Sequence, residues 1–452
     1  MGKNTLIMTP ARYRGYRLGI LEDSRQMNYP DSVRFLYALG NEMKSAKFGL
    51  ERIEAVLAAL DHPEAAFRVV HVAGTNGKGS TCAMIDAGLQ AAGIRTGLFT
   101  SPHLNEPTER IRIDGIPVSE ADFSRAFDTV HNAAELLDLD CHPTYFETVT
   151  AMGFLLFREK GIHTAVVEVG LGGRLDATNV VNPALTVITS IDFDHEAYLG
   201  NTVEAIAGEK AGILKPGAPA VFAKQRPEAA AVLEARAKEL GIAVRRAGDI
   251  TVSDLDVNAR GSRFTLAGLG GDGLGRVTCP LAGEHQIDNA VAAALALNTL
   301  GVSSDGIADA RWPGRLEHIS PNPDVILDGA HNPAGARALA RYLERFYPDR
   351  KLWLVYGAMR DKSIEEIAGI LFPLADELIF TAPQAARALR PEALVELAGR
   401  GRAAADIQAA LKLVQGEASA EDVIVITGSL FLVGEARAAS YNRSSWPFTS
   451  GW

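Results

Sequence analysis

The sequence predicts an α/β protein in two units: a doubly wound, mainly parallel sheet with a small antiparallel excursion, then a smaller α/β unit. Three observations carry this expectation. Short β-rich runs alternate with helix-period segments along almost the whole chain, the pattern of parallel strands covered by helices on both faces. A stretch near 246–280 breaks that alternation, and the pattern restarts after a polar passage at Ser303–Gly314.

Taken in order, residues 1–28 carry Arg12, Arg14, Arg17 and Arg25 but also Glu22 and Asp23, with no uninterrupted apolar core. They read as a disordered N-terminal extension, not a signal peptide. The first domain is expected over 29–305. Its apolar runs Phe67–Val72, Ala165–Val169 and Leu185–Ser190 read as buried strands, and Cys82–Ala92 as a helix. In the excursion, Ile250-Thr-Val-Ser and Ser262-Arg-Phe-Thr-Leu are followed by a glycine-rich turn and Arg276-Val-Thr-Cys, as in an antiparallel meander. Gln286–Leu300 is an alanine-rich helix. The second domain is expected over 306–437. Val325-Ile-Leu-Asp-Gly, Leu352-Trp-Leu-Val-Tyr-Gly, Glu377-Leu-Ile-Phe-Thr and Val423-Ile-Val-Ile-Thr-Gly each end in Gly or a small polar residue before a helix, a Rossmann-like arrangement. The tail 438–452 reads as loose.

Composition narrows the function classes. With 45 Lys+Arg against 55 Asp+Glu the net charge is −10, so there is no bulk attraction to nucleic acid or anionic membrane. An anionic ligand has to be held by a local site. No run of about 18 apolar residues occurs, which excludes a transmembrane helix. Cys82, Cys141 and Cys279 are far apart and outside any metal-ligand spacing, as expected for reduced thiols in the cytoplasm.

The strongest chemical signal is Val69-Val-His-Val-Ala-Gly74-Thr75-Asn76-Gly77-Lys78-Gly79-Ser80-Thr81. A β-branched strand runs through a glycine-rich turn into a helix. The glycines let successive backbone N–H groups face a phosphate, and the helix N-terminus adds its dipole. Lys78 supplies a point charge, and Ser80 or Thr81 a hydroxyl near a metal. The spelling departs from G-x-x-x-x-G-K-[ST] by the extra Gly79. This is a P-loop, and it makes the first domain a candidate ATPase unit; by itself it does not select among kinase, GTPase and ligase.

Other chemistry-bearing residues gather at strand ends. Glu168 closes the run Ala165-Val-Val-Glu168, and Val187-Ile-Thr-Ser delivers Asp192, Asp194 and His195 to the same edge, where ligands of open α/β sheets collect. Mg²⁺ takes oxygen ligands and keeps several waters, so one carboxylate with phosphate oxygens suffices. On residue type alone, His195 reads equally as a loop hydrogen-bonder, Asp176 as a cap, and Lys210 as a solvated helix residue.

Together these segments resemble the folylpolyglutamate synthase/dihydrofolate synthase family of Mur-type ATP-dependent amide ligases. The resemblance runs from about Tyr29 to Arg437. It is carried by Phe48-Gly-Leu-Glu-Arg, Gly74-Thr-Asn-Gly-Lys-Gly-Ser, Thr100-Ser-Pro-His-Leu, Glu109-Arg-Ile, Thr144-Tyr-Phe-Glu, Glu168-Val-Gly-Leu-Gly-Gly-Arg-Leu-Asp-Ala-Thr-Asn, Glu209-Lys-Ala-Gly-Ile, Pro313-Gly-Arg-Leu-Glu, Asp328-Gly-Ala-His-Asn-Pro and Gly357-Ala-Met-Arg-Asp-Lys, in that order.

The resemblance implies ATP and two Mg²⁺ ions. Ser101, Glu168, His195 and a carbamylated Lys210 would bind metal. Gly74 to Thr81, Asn289, Arg315, Asp328 and His331 would hold ATP. Lys47, Phe48, Gly49, Thr144, Tyr145, Phe146, Glu147, Leu175, Asp176 and Ala177 would hold the pterin, with Lys78, Glu168, His195, Lys210 and Arg315 forming the catalytic set. The implied reaction is ligation of L-glutamate to dihydropteroate and to the γ-carboxylate of (tetrahydro)folate through an acyl phosphate, by a monomer acting on small molecules. The alternatives are folylpolyglutamate synthesis alone, or ligation on muramyl peptides.

Overall fold

The computed structural model describes residues 27–39, 49–139, 141–268, 273–360, 363–385 and 387–441. The expected extension and tail therefore lie almost wholly outside the described residues, as do Lys47 and Phe48.

The larger sheet has the order β4-β3-β2-β5-β1-β6-β7-β8. Its strands are β1 (Arg68–Ala73), β2 (Thr96–Phe99), β3 (Ile111–Ile113), β4 (Ile116–Pro117), β5 (Thr164–Glu168), β6 (Leu185–Ile188), β7 (Ala220–Phe222) and β8 (Val244–Arg246). From β2 to β8 the pairings are parallel, and the β3–β4 hairpin adds an antiparallel edge. β1 lies between β5 and β6; the chain leaves it through the helix Lys78–Ala91 toward β2 on one side, and the later connection from β5 to β6 crosses to the other, which opens a crevice at its carboxyl end.

Helices cover both faces: α1 (Tyr29–Ala38), α2 (Glu51–Ala59), α3 (Lys78–Ala91), α4 (Glu120–Glu135), α5 (Tyr145–Glu159), α6 (Glu196–Leu199), α7 (Val203–Ala211), α8 (Pro227–Leu240) and α9 (His285–Thr299). Alanines 290, 292, 293, 294 and 296 of α9 are fully buried. The small side chains let α9 lie between α3 and the antiparallel excursion, and a Cβ on Gly88 of α3 would fall 2.4 Å from Leu297. That excursion is a separate three-stranded sheet of β9 (Thr251–Asn258), β10 (Gly261–Ala267) and β11 (Gly273–Cys279).

The second sheet runs β12-β13-β17-β14-β15-β16. It comprises β12 (Glu317–Pro321), β13 (Asp324–Leu327), β14 (Leu352–Tyr356), β15 (Glu377–Phe380), β16 (Arg402–Ala403) and β17 (Val423–Thr427). All pairings but β12–β13 are parallel. Helices α10 (Pro333–Phe346), α11 (Ile364–Leu371), α12 (Pro391–Ala398), α13 (Ile407–Glu417) and α14 (Leu430–Tyr441) cover it, with a separate apolar cluster on each face. Among the described residues no helix is long and apolar enough to cross a membrane.

Two boundaries differ from expectation. Helix α3 begins at Lys78, not Cys82, because Gly77 turns the chain at φ 83° and the phosphate loop's last residues form the first helical turn. Helix α14 continues past Arg437 to Tyr441, since Ala436 and Ala439 are buried in the second domain's core.

The excursion also touches the second domain. The carbonyl oxygen of Ala259, in the β9–β10 turn, accepts from the Tyr342 hydroxyl at 2.8 Å and lies 3.1 Å from His318 Nε2.

Candidate active site

The end of β1 passes into the loop at Gly74, where a Cβ would sit 1.8 Å from the Thr189 hydroxyl. Thr75 and Asn76 donate their N–H groups to Ser190 O at 2.9 and 3.2 Å, which ties the loop to the end of β6. At Gly77 a Cβ would lie 2.1 Å from Asn289 Oδ1, so only glycine allows both the positive φ and this approach of α9. Asn289 donates to Gln286 Oε1 at 3.0 Å, and Gln286 donates to Ser80 Oγ at 3.2 Å. The Lys78 ammonium caps its own loop, donating to Gly74 O at 3.1 Å and Thr75 O at 3.2 Å. The first-turn N–H groups of α3 have no intrahelical acceptors, which makes this cradle a fit for a polyphosphate.

The loop opens into a cavity of about 1460 Å³ between the two sheets. Of the residues implied to hold metal, Ser101, Glu168, His195 and Lys210 all line it, as do Asn289, Arg315, Asp328 and His331 of the ATP set. Thr81 does not; its hydroxyl is buried and has no hydrogen-bond partner among the described residues.

Glu168 is almost completely buried and accepts from Ser101 N at 3.1 Å. Burial raises its pKa, and the positive charges of Lys78 and Arg315 oppose that rise. Arg315 follows the inter-domain connection. Burial lowers its pKa, while Asp328 and Glu168 support its charge. It therefore sits in the fields of one carboxylate from each domain. Asp328, just after β13, is oriented by Leu316 N and Ala330 N, both at 3.0 Å. His331 Nδ1–H donates to Gly329 O at 2.7 Å, leaving Nε2 4.0 Å from the Asp194 carboxylate.

The donor set fits a hard divalent cation: the Glu168 carboxylate and the Ser101 hydroxyl offer oxygen, with Asp194 beside His195. Lys210 fits only after a change of charge. It is 4% exposed, its ammonium makes no hydrogen bond among the described residues, and burial pushes its pKa down to about 7. Near neutral pH much of it is the uncharged, nucleophilic amine.

The residues implied to hold the pterin separate. Tyr145 and Phe146, in the first turn of α5, line the cavity. Thr144 and Glu147 form the capping box that starts this helix, with Glu147 Oε2 accepting from Thr144 N at 2.7 Å and from Arg52 at 3.2 Å. Leu175, Asp176 and Ala177 are not on the wall, nor is Gly49. The Asp176 carboxylate is turned into its own loop, accepting from Leu171 N at 2.8 Å, Thr178 N at 3.0 Å and the Thr178 hydroxyl.

Sequence reasoning missed three residues of that wall. Tyr37 of α1 stacks on Tyr145 with centroids 5.8 Å apart and planes 3° from parallel. The Arg110 guanidinium lies 5.0 Å over the Tyr145 ring and donates to His103 Nδ1 at 2.9 Å. His103 then carries its proton on Nε2, 3.3 Å from the Tyr37 hydroxyl. Burial, then the Arg110 charge, push its pKa down to about 3, so it stays neutral. His103 and Arg110 stood in the strings Thr100-Ser-Pro-His and Glu109-Arg-Ile, which were the available signal.

Comparison with known proteins places this architecture. The Mur ligase middle domain matches residues 72–297, and the Mur ligase glutamate ligase domain matches 314–430. The dihydrofolate synthase/folylpolyglutamate synthase of Bacillus subtilis is 36% identical over 426 residues, spanning 90% of this chain and 98% of that protein. The enzyme of the same name from Escherichia coli is 34% identical, spanning 92% and 96%. Among solved structures, Escherichia coli FolC in complex with DHPP and ADP superposes with a TM-score of 0.84 at 32% identity, covering 92% of this chain and 99% of that one. The Mycobacterium tuberculosis folylpolyglutamate synthase complexed with ADP gives 0.83 at 36% identity, covering 91% and 99%. The resemblance carried by the sequence strings is borne out: the chain belongs to the dihydrofolate synthase/folylpolyglutamate synthase family of Mur ligases.

Proposed function

We propose that this chain joins L-glutamate both to dihydropteroate and to the γ-carboxylate of (tetrahydro)folate, in the cytoplasm and as a monomer. It is an ATP-dependent amide ligase of folate metabolism. The observation that carries the proposal is a single cavity that brings together a polyphosphate cradle, the buried groups Glu168, Lys210, Arg315 and Asp328, and an aromatic wall of Tyr37, Tyr145 and Phe146.

In this reading the substrate carboxylate attacks the γ-phosphorus of ATP and the bond to ADP breaks, giving an acyl phosphate. The amino group of L-glutamate then adds to the acyl carbon, phosphate leaves, and an amide remains. The protein's share is positioning and charge neutralisation. Lys78 sits over the loop to meet the outer phosphates. Arg315 is preorganised by Asp328 and Glu168 to meet charge that develops between the domains. The aromatic wall offers a flat apolar face to the acceptor's ring.

Magnesium, when bound, supplies charge screening for the phosphates; Ser101, Glu168 and His195 would hold it. Lys210 joins that set by adding its neutral amine to CO₂. An N–C bond forms, the nitrogen loses its proton, and the side chain becomes a carboxylate.

The testing experiment is ATP-dependent phosphate release with L-glutamate, using 7,8-dihydropteroate, tetrahydrofolate or no pterin as acceptor. Release with both acceptors is expected. Release with tetrahydrofolate alone would restrict the chain to polyglutamylation, and stimulation by neither would overturn the proposal and point to a muramyl acceptor. Light scattering tests the monomer.

A further inference from the structure

Away from the cavity, three side chains converge that no step above uses: His131, Glu135 and His142, with one ligand atom from each within 4.8 Å of the others. His131 and Glu135 are one turn apart at the end of α4, so both project from the same helix face. His142 comes from the connection to α5.

The geometry is that of a prepared ligand set. His131 Nδ1 and His142 Nε2 are 3.2 Å apart. Two nitrogens bound to one tetrahedral ion at 2.0–2.1 Å stand about 3.3 Å from each other. His142 Nδ1–H donates to Pro143 O at 2.8 Å, which fixes its tautomer and aims the Nε2 lone pair at His131. A backbone acceptor behind the ring is the usual support of a metal-binding histidine. The His131 ring is held by Phe127, stacked at 5.5 Å and 8°, and by the edge of Phe35 at 4.7 Å. Glu135 is exposed and His142 half-buried, so an ion can enter from solvent.

We infer that His131, Glu135 and His142 form a binding site for a divalent transition metal of the zinc class, with a fourth position open to water. Two imidazoles and a carboxylate suit Zn²⁺ or Co²⁺ better than Mg²⁺, which takes oxygen. The ion would tie the end of α4 to the segment leading into the Thr144 cap, and thereby brace the turn that carries Tyr145 and Phe146 on the cavity wall.

The alternative is an ordinary imidazole–imidazole hydrogen bond, and metal titration separates the two. The full chain is first saturated with Mg²⁺ and a non-hydrolysable ATP analogue, then titrated with Zn²⁺ against a chromogenic chelator and with Co²⁺ by absorption. One further equivalent is expected, with the spectrum of four-coordinate cobalt and a rise in unfolding temperature. Glu135→Gln and His142→Gln, both at accessible positions, should each weaken Zn²⁺ binding by about tenfold or more. Cys141→Ser must bind as the wild type does. The inference is overturned if no equivalent binds beyond the cavity, if either ligand variant binds Zn²⁺ as tightly as wild type, or if Cys141→Ser abolishes binding.

Discussion

Asn332 and Asn76 join the two domains at the phosphate loop: the Asn332 side-chain amide donates to Asn76 Oδ1 at 3.0 Å. Asn332 also N-caps α10, accepting from Gly335 N at 2.8 Å. The first turn of a second-domain helix is thereby registered against the ATP cradle of the first domain.

Asn332→Ala should therefore act on nucleotide handling and on stability together. Loss of the cap and of one bridging bond costs about 1 kcal/mol each. The two contributions separate in a double-mutant cycle with Asn76→Ala. Coupling is expected in KM for ATP, and additivity within error there would refute the bridge.

Lys210 predicts a pH dependence. Its folded pKa lies near 7 and its ordinary value is 10.5, so between these values the unfolded chain holds a proton that the folded chain lacks. The contribution of this group to stability rises with pH across that window and is smallest below pH 7. Lys210→Met should flatten that part of the denaturation-against-pH curve. In ¹³C-bicarbonate a carbamate resonance should grow as pH passes upward through 7, and the variant should not show it.

Thr178 links two buried groups. Its hydroxyl donates to the Asp176 carboxylate and lies 2.9 Å from His71 Nε2. Thr178→Val keeps the shape but leaves both partners short of a bond, an expected loss of about 2 kcal/mol in urea denaturation. Burial pushes His71 from 6.5 to about 3. Only the unfolded chain takes up that proton between these values, so stability should fall as pH drops through the window. A midpoint indistinguishable from wild type would show the triad to be energetically idle.

Tyr37→Leu removes the ring stacked on Tyr145 and the hydroxyl beside His103, while leaving the ATP loop untouched. KM for the pterin acceptor should rise about tenfold, from loss of an aromatic pair and a hydrogen bond. KM for ATP should hold. Equal rises in both would mean that the wall does not face the acceptor.

What the sequence disclosed was local. Val69–Ala73 followed by glycines and Lys78 spells a strand, a turn and a helix start within a dozen residues, and the buried strands of the second sheet are continuous apolar runs. Short or mixed strands such as Ile116–Pro117 and Arg402–Ala403 exist only through their neighbours, and no periodicity announces them. The site divides in the same way. Glu168 was legible because it ends a strand. Tyr37, His103 and Arg110 meet through separations of 66 and 7 residues, so their joint geometry arises only when the helix carrying Tyr37 packs against the loop after β2. Asp176 shows the converse: its type suited a ligand, yet the loop's own donors occupy the carboxylate.

The contact at Ala259 bears on how the two domains are held together. Tyr342 and His318 meet that one carbonyl from the second domain, while His318 Nδ1 is engaged by Asp324 at 2.8 Å. The three-stranded sheet thus acts as a strut reaching out from one half to the other, well away in sequence from the connecting segment. Together with the Asn332–Asn76 bond, this strut holds the second domain to the first at places other than the connecting segment, so the position of Arg315 beside the phosphate loop does not depend on that segment alone.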